Sequence, residues 1–500
     1  MEASAEQLVA EFLSEYRASG AYLRDHVTRL TELASSEDKH VAEAATRAVF
    51  ASLVEPLADS FDPDAVTLYN RAFAQIVQIC RRHPAAVLLD DRLERFGLQN
   101  EEHLIARADS LRVVSKVASL HELARRLERA IVLSRVTLGA DVAITSVIIE
   151  RLKRTFPGAK IVLAGGAKAA QLFRGDPQVG FKEIGYSRAG TTIARLLTWV
   201  DLLECVRELT QDLQPTQYLI VDPDSRLTQL GLLPITWASR KPNRVPASDH
   251  HLVTTKPEWS DYLFFPSREY GSDTSQPLGE LTAAWLDQVF GETVKTYPRV
   301  SLSEDDLDAA RRLVRPMRHP IISINFGVGE NLLKRVGTDF EASLVARLIQ
   351  EGATVILDKG AGEDEISRAE AVVARTTQIE REGRRLRAVE VDESGLRQSP
   401  RAEGPDAEIL VWNGRIGLFA ALISQSDLYI GYDSAGQHIA AALGVPCIDV
   451  FAGFSSKRML ERWRPFGEAE TRVVVVDSFR RANAGELLAN VLSHAHGLLK

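Results

Sequence analysis

Two short apolar runs, AIVLSRV at 130–136 and KIVLAGG at 160–166, flank a helix-patterned segment, VAITSVIIERLKRTF, that Pro157-Gly158 stops. Strand, helix and strand in that order demand a parallel pair, because only a crossover brings the second strand back beside the first in the same direction. A parallel sheet in turn needs helices on both faces, which excludes an all-β sandwich for this part of the chain. The pattern continues. QYLIVDP (217–223) is a further strand, leading into the polar loop DSRLTQLG. After the helix-like SEDDLDAARRLV a second series begins at PIISINF (320–326) and runs through ATVILDKG, LRAVEV, EILVW, DLYIGY, CIDVF and RVVVVD. The helical patterns DFEASLVARLIQEG and EISRAEAVVARTTQ fall between the early members, and a terminal helix starts near Ala482. This spacing predicts two Rossmann-like halves in tandem. Residues 237–280 read as partly irregular, and 390–410 as an insertion-like loop.

Before Arg129 the texture is different. Apolar residues recur three and four apart in QLVAEFLSEY, HVTRLTELA, AATRAVFASLVEPLA and LYNRAFAQIVQIC, and strand signals are almost absent. Breaks at Asp62-Pro63, His83-Pro84 and Phe96-Gly97 divide the region into five or six helices. The expected division is therefore a helical N-terminal domain over 1–126, a first Rossmann-like domain over 127–315 and a second over 316–500. A chain of 500 residues with 45% hydrophobic residues can fill several cores. Its net charge of −8 gives no general attraction to nucleic acid or to an anionic membrane. Cys80, Cys205 and Cys447 are too scattered for a disulfide framework or a zinc site. The start MEASAEQLVAEF lacks the basic and apolar segments of a signal peptide, and no run of about 18 apolar residues occurs. A cytoplasmic protein is expected.

The most informative stretch is YDSAGQHIAAALGVPCIDVF (432–451). A strand ends at Tyr432, Ser434 suits the N-cap of a short helix, Gly444 suits its C′ position and Pro446 blocks continuation. Free N–H groups and the dipole at such a helix start favour an anion, and the carboxyl ends of parallel strands are where ligands bind. The small residues Ser434, Ala435 and Gly436 admit the anion close to the backbone. His438 can donate a ring N–H to it, while Asp433 points to hydroxyls or orients the loop. On these residues alone, an ordinary capped connection with His438 satisfied by the backbone explains the stretch equally well.

Three ordered blocks resemble glycosyltransferase family 9, the ADP-heptose:lipopolysaccharide heptosyltransferases. Asp433-Ser434, His438, the following AAALGVP and the later WRPFG (463–467) are similar to the family's D-S-G-x-x-H-x-A-A-A-L-G-x-P region. RVTLGADVAITSVIIERLKRTFPGAKIVLAGG (135–166) looks like its first βαβ unit, and NFGVGENLLKR (325–335) is similar to its H-P-G-x-x-x-x-x-K-R-W block. The resemblance spans about 129–480. It implies a GT-B-like architecture of two Rossmann-like domains facing a cleft, and an inverting, metal-independent transfer of a heptose or related sugar from a nucleotide diphosphate donor. It gives Asp141 the place of the catalytic base, Lys334 that of a donor-phosphate contact, and Asp433, Ser434, Ala435, Gly436 and His438 that of the donor loop. Gly327 lies in the second donor-side loop, and Glu363 is a weaker candidate for ribose contact. The sequence departs from the pattern at Gly139-Ala140-Asp141, at Ala435 with Gly436 one step later, at Val147 in place of Pro, and at Val336 in place of Trp.

Transfer with inversion needs a base for the acceptor hydroxyl and charge stabilisation for the departing diphosphate. Asp141 is read as that base, although Asp is also a preferred cap, and a helix start would keep it ionised but weakly basic. Lys334 and the 434–438 helix start would meet the diphosphate without a metal, and no cofactor is expected beyond the nucleotide sugar itself. Arg226, in the loop after QYLIVDP, is the candidate contact for an anionic acceptor. Asp222-Pro223-Asp224 and Asp249-His250-His251 are weak as metal sites, the latter because adjacent strand residues face opposite ways. The acceptor remains open among a carbohydrate, a glycolipid and a protein, with a bacterial cell-envelope setting implied by the family and no nucleic-acid partner. Two other readings stand: a nucleotide-sugar epimerase on the same architecture, and a pseudoenzyme or scaffold. The helical region has no counterpart in the resemblance, so its expected work is contact with a protein partner, an acceptor or a second copy. The two Rossmann-like halves are expected to fold without it from near Ser119.

Overall fold

The computed structural model describes residues 4–113, 117, 119–186, 190–235, 262–329, 331–378, 380–381, 384–398, 407–477 and 483–500. Strands β1 (Arg129–Leu133) and β2 (Lys160–Gly165) pair in parallel, from Arg129 beside Lys160 to Leu133 beside Ala164. With β3 (Val179–Glu183), β4 (Tyr218–Asp222) and β5 (Tyr262–Phe264) they form a parallel sheet in the order β3-β2-β1-β4-β5. The chain works outward from β1 on one side and returns to its other side at β4, so the space between the ends of β1 and β4 is a topological switch point.

The second sheet repeats the plan. Its strands are β6 (Ile321–Asn325), β7 (Thr354–Asp358), β10 (Ala388–Asp392), β11 (Ile409–Asn413), β12 (Leu428–Tyr432), β13 (Cys447–Ala452) and β14 (Thr471–Val476). A small hairpin, β8 (Glu380–Arg381) and β9 (Arg384–Arg385), lies apart. The order β10-β11-β7-β6-β12-β13-β14 puts the second switch point between β6 and β12. The chain thus has a GT-B-like architecture. Residues 390–398, expected within a loop, instead complete β10 and form the helix Glu393–Gln398.

Strand alternation sorts the cores. Ala130 and Val132 of β1 join a core that continues into the second sheet through Ile356, Leu410, Trp412, Tyr429 and Cys447. Ile322, Ile324, Val355 and Leu357 face the second sheet's other core. Ile131 and Leu133 face a third, and there the N-terminal helices enter. Phe50, Tyr69, Phe73 and Leu89 pack in one cluster with Ile131, Leu133, Ala164, Ile220, Leu196 and Trp199. The helix Pro63–Cys80, started by Pro63 behind the Asp62 cap, is buried along most of its length. A parallel sheet must be covered on both faces, and the helix Thr192–Thr210 shares that work with the N-terminal helices on this one. The expectation that the sheet domains form their cores without residues 1–126 is therefore corrected.

Polar contacts follow the same seam. The Thr192 N–H donates to Thr46 Oγ1 at 2.9 Å, Tyr69 Oη donates to Gln229 Oε1 at 3.3 Å and Arg92 pairs with Glu204 at 2.8 Å. The helical region also reaches the second half: Arg458 Nη1 donates to the Phe61 carbonyl at 3.1 Å, and the Phe61 and Trp463 rings meet edge-on at 6.0 Å. All three cysteines are buried and free. Among the described residues no helix is long and apolar enough to cross a membrane.

Candidate functional site

At the second switch point, β12 ends in Tyr432 and the helix Ala435–Ala442 follows, closed by Gly444 at φ +72° as the sequence predicts. Ser434 holds the N-cap position in an extended conformation, but its hydroxyl makes no capping bond. It lies toward the Tyr429 hydroxyl beneath the helix instead. A Cβ at Gly436 would overlap that same hydroxyl. The displaced glycine thus has a steric reason in this chain: Tyr429 occupies the space that a side chain at 436 would need.

Lys334 closes a short 3-10 turn, Leu332–Lys334, whose Leu333 N–H donates to the Asn331 side chain at 3.1 Å. Gly453, at φ +67°, lets the end of β13 approach this turn where a side chain would strike the Leu333 carbonyl. The Lys334 ammonium donates to the Asp433 carboxylate, whose other oxygen accepts from Gln437 Nε2 at 3.0 Å. Burial pulls the Lys334 ammonium down, but the Asp433 carboxylate outweighs it and leaves the group above its ordinary range. Of the two roles foreseen for Asp433, orienting the loop is the one seen. His438 is buried beside the Trp463 ring, 6.1 Å between centroids, and burial pushes it down to about 4. It is a neutral imidazole at pH 7.

One residue here had no sequence signal. Asp449, on β13, is fully buried with neither carboxyl oxygen hydrogen-bonded. Burial and the neighbouring Asp433 charge hold its pKa well above the ordinary value, which favours its neutral form beside the Lys334–Asp433 pair. An acidic letter inside the apolar run CIDVF was the only clue.

The first switch point holds Asp141. The segment after β1 turns through Val136 at φ +72°, a left-handed conformation costly for a β-branched residue, then enters a single helical turn, Leu138–Ala140, with Thr137 at the N-cap position but making no side-chain cap. Asp141 continues this turn into a π-type stretch, Asp141–Thr145. It is not a cap. Its Oδ1 accepts from the Arg135 N–H at 2.7 Å and Thr145 Oγ1 at 2.9 Å, and its Oδ2 from Ser134 Oγ at 2.7 Å. Burial pushes its carboxyl up to about 6 against the pull of these donors. The expected weakening of its basicity by the helix dipole is therefore corrected, because the carboxylate sits past the free N–H groups and out of water. Beside it, Arg135 Nη1 donates to the Pro223 carbonyl at 2.6 Å, and Arg268 pairs with Asp224 at 2.6 Å. Asp222 accepts from the Ser225 N–H, Thr228 and Tyr262. Both acids of Asp222-Pro223-Asp224 are thus committed to holding the loop. Asp249-His250-His251 lies outside the described residues.

The two switch points meet. The helix Ala435–Ala442 packs on the 138–145 turn, so closely that a Cβ on Gly139 would stand 3.4 Å from His438 Cδ2. The WRPFG segment and the residue before it support the contact: Gly467 backs onto the Ala441 carbonyl, while Arg462 donates to the carbonyls of Gln276 at 2.6 Å and Gly271 at 2.5 Å in the first half. Gly327 lies in the loop after β6, its N–H on Asn325 Oδ1 at 3.0 Å. Glu363 is exposed at the start of the helix Glu363–Thr376. It is Glu365 that ties the loops, accepting from Gly329 and Ala361 N–H groups at 3.1 and 2.9 Å. Arg226 follows β4 on the side of the cleft that the helical region walls. The sequence reading missed Asp59, a half-exposed carboxylate of the helical region whose charge acts on Lys334, Arg135 and Arg226 alike.

Residues 412–483 match the family model for glycosyltransferase family 9 (heptosyltransferase). That span runs from the end of β11 through the loop and helix after β12 and through WRPFG to beyond the last strand. No curated protein matches the chain. Similar solved structures include a glycosyl transferase family 9 protein from Veillonella parvula (16% identity, 74% of this chain and 97% of that one, TM-score 0.49). ADP-heptose LPS heptosyltransferase II of E. coli gives 15% identity, 74% and 98% coverage and a TM-score of 0.46. E. coli heptosyltransferase WaaC with ADP gives 13%, 73%, 99% and 0.45. Over residues 412–483 the chain thus resembles glycosyltransferase family 9 (heptosyltransferase), and the strand order of its two sheets is that of a GT-B-like architecture.

Proposed function

We propose that the protein is an inverting glycosyltransferase that moves a heptose or related sugar from a nucleotide diphosphate donor to an acceptor hydroxyl, without a metal. The observation that carries this reading is the junction of the two switch points, where the helix Ala435–Ala442, preceded by the Asp433 that pairs with Lys334, packs against the turn that bears Asp141. The diphosphate would lie on Lys334 and the first N–H groups of that helix, whose dipole favours an anion. As the sugar leaves, Lys334 meets the charge that grows on the diphosphate. Neutral His438 would donate or accept one hydrogen bond there, and protonated Asp449 would keep the floor of the loop from repelling the phosphates.

Asp141 would accept the proton of the acceptor hydroxyl as its oxygen bonds to the sugar carbon and the bond from that carbon to the diphosphate breaks. A carboxyl raised to about 6 is better matched to that task near neutral pH than an ordinary aspartate. With only 2% of its surface exposed, it is reached when the halves part at the contact between Gly139 and Ala435. The test is nucleotide diphosphate release from a panel of nucleotide sugars, with and without acceptors, in wild type and Asp141→Asn. The asparagine keeps the size of the side chain but cannot take the proton. A fall of about 100-fold or more in transfer with nucleotide affinity unchanged is expected. Transfer within threefold of wild type would place the base elsewhere, and no release from any donor would remove the activity.

A further inference from the structure

Asp449 is an acid with no bond to make in the structure as it stands. It lies beside Gly431 in the parallel β12–β13 pair and is 0% exposed. Strand alternation puts its side chain on the face that Tyr429 and Cys447 share. Neither of its carboxyl oxygens has a hydrogen-bond partner among the described residues. A buried carboxylate without donors is costly, so the favoured form is the neutral acid, whose hydroxyl donates to nothing. The neighbouring polar groups are turned elsewhere. Burial keeps the Tyr429 hydroxyl and the Cys447 thiol neutral, the one lying toward Ser434 and the other toward the Gln437 carbonyl at 3.9 Å, and it keeps the His438 ring uncharged.

The acceptor for that spare hydroxyl is Asp433, and it is occupied. Lys334 donates to Asp433 Oδ2 and Gln437 Nε2 to Oδ1. The charges of Asp433 and Lys334 both act on Asp449, so the three form one electrostatic cluster. Within the ion pair the lysine is the mobile member, its side chain 19% exposed against 5% for Asp433. A diphosphate on the helix start would draw the ammonium toward itself. Asp433 Oδ2 would then be left bare where water scarcely reaches, with phosphate charge approaching, and a buried carboxylate that loses its partner is destabilising unless another donor replaces it.

Resting on the transferase reading, we infer that Asp449 is a positioning residue for the donor: as Lys334 turns from Asp433 to the diphosphate, the Asp449 hydroxyl takes the vacated place on Asp433 Oδ2 and holds the loop. The proton stays between the two carboxyls, and no covalent bond to the donor is made or broken by them. The lysine is thereby released to the ligand without an unpaired charge being left behind.

The full chain can be titrated by calorimetry with ADP, UDP and inorganic pyrophosphate. Whichever of these the wild type binds should bind about tenfold or more weakly to Asp449→Val, which has no donor. Asp449→Asn, whose amide can donate to Asp433, should restore affinity to within about threefold of wild type. The midpoint of denaturant unfolding should not fall in Asp449→Val, since an unsatisfied buried carboxyl has been removed. Asp449→Ala replaces it in each comparison if the larger side chain crowds the strand. In an Asp433→Asn chain, which has no carboxylate to hold, adding Asp449→Val should cost less than about twofold. The role given to Asp449 is overturned if Asp449→Val binds within about threefold of wild type, if Asp449→Asn is as weak as Asp449→Val, or if the full loss persists beside Asp433→Asn. Those results leave the donor reading standing, whereas a wild type that binds none of the three probes overturns both.

Discussion

The two switch points are built alike and charged differently. At the second, Lys334 pairs with Asp433, Asp433 also accepts from Gln437, and burial pushes Asp449 toward its neutral form. At the first, Asp224 pairs with Arg268 and lies 3.7 Å from Arg135, while among the described residues the Arg226 side chain has no ion pair and the donors to Asp141 are neutral. On the proposed reading, a loop that takes one invariable group, a diphosphate, is prearranged down to its counter-ion, whereas a side that takes a variable partner borrows walls from the N-terminal helices. The family pattern is accordingly recognisable at the second switch point, and the helical addition gathers at the first.

The sharpest way to break this contrast is to remove the helices. A chain beginning at Ser119 would expose the face of the first sheet carrying Ile131, Leu133, Ala164 and Ile220, each worth roughly 1.5–3 kcal/mol for the larger side chains. Insoluble or unfolded protein is expected by circular dichroism and sedimentation. A soluble, cooperatively folded chain would show that the shared core is dispensable.

A smaller effect is expected on the donor side. Lys334→Ala removes a charge-assisted contact of about 1.5–3 kcal/mol, which is about tenfold or more in nucleotide diphosphate affinity. Nucleoside affinity should change little. Equal calorimetric affinities of mutant and wild type for the diphosphate would take the lysine out of the site.

The pH dependence separates the two sides. Asp141 can accept a proton only when ionised, so turnover should climb as pH rises through about 6 and level off above it, and this acid limb should be absent from Asp141→Asn. The stability sign runs the other way. A carboxyl whose folded value lies above its ordinary 3.8 holds its proton more tightly when folded, so its contribution to stability is lost as pH rises from about 4 to about 6. His438, pushed down to about 4 from 6.5, is favoured neutral in the fold, so its contribution is lost as pH falls through that interval. A rate profile flat from pH 5 to 8 would contradict the role given to Asp141.

The smallest effect concerns a single atom. Gly436→Ala should cost about 1–3 kcal/mol in denaturant unfolding by forcing the Tyr429 hydroxyl aside, and Tyr429→Phe in the same chain should recover part of it. No recovery would mean that the glycine answers to something other than Tyr429.

What could be read from the sequence follows the same division. The donor loop was legible because its residues are contiguous and each does a local job: strand end, cap position, small residues, Gly444, Pro446. Its displaced glycine was not, since the cause is the Tyr429 side chain on β12, whose hydroxyl comes up beneath position 436. β3 and β5 escaped because VGFKE carries a glycine and two charges, and YLF is three residues long. The amphipathic stripes of the N-terminal helices showed that one face of each is buried, but a stripe does not say against what. Their partner turned out to be the first sheet, and Arg226 could be placed in the loop after β4 while the helical wall opposite it could not. Asp449 carries no pattern at all, because a buried neutral carboxyl in an apolar strand differs from its neighbours only by its environment.

The most direct test of the central claim, that the two switch points together form one transfer site, is a crystal structure of the full chain with ADP or UDP bound. A diphosphate is expected within hydrogen-bond distance of Lys334 Nζ and of backbone N–H groups at 435–436, its distal phosphate turned toward the 138–141 turn. A diphosphate bound elsewhere, or one in that loop turned away from Asp141, would contradict it.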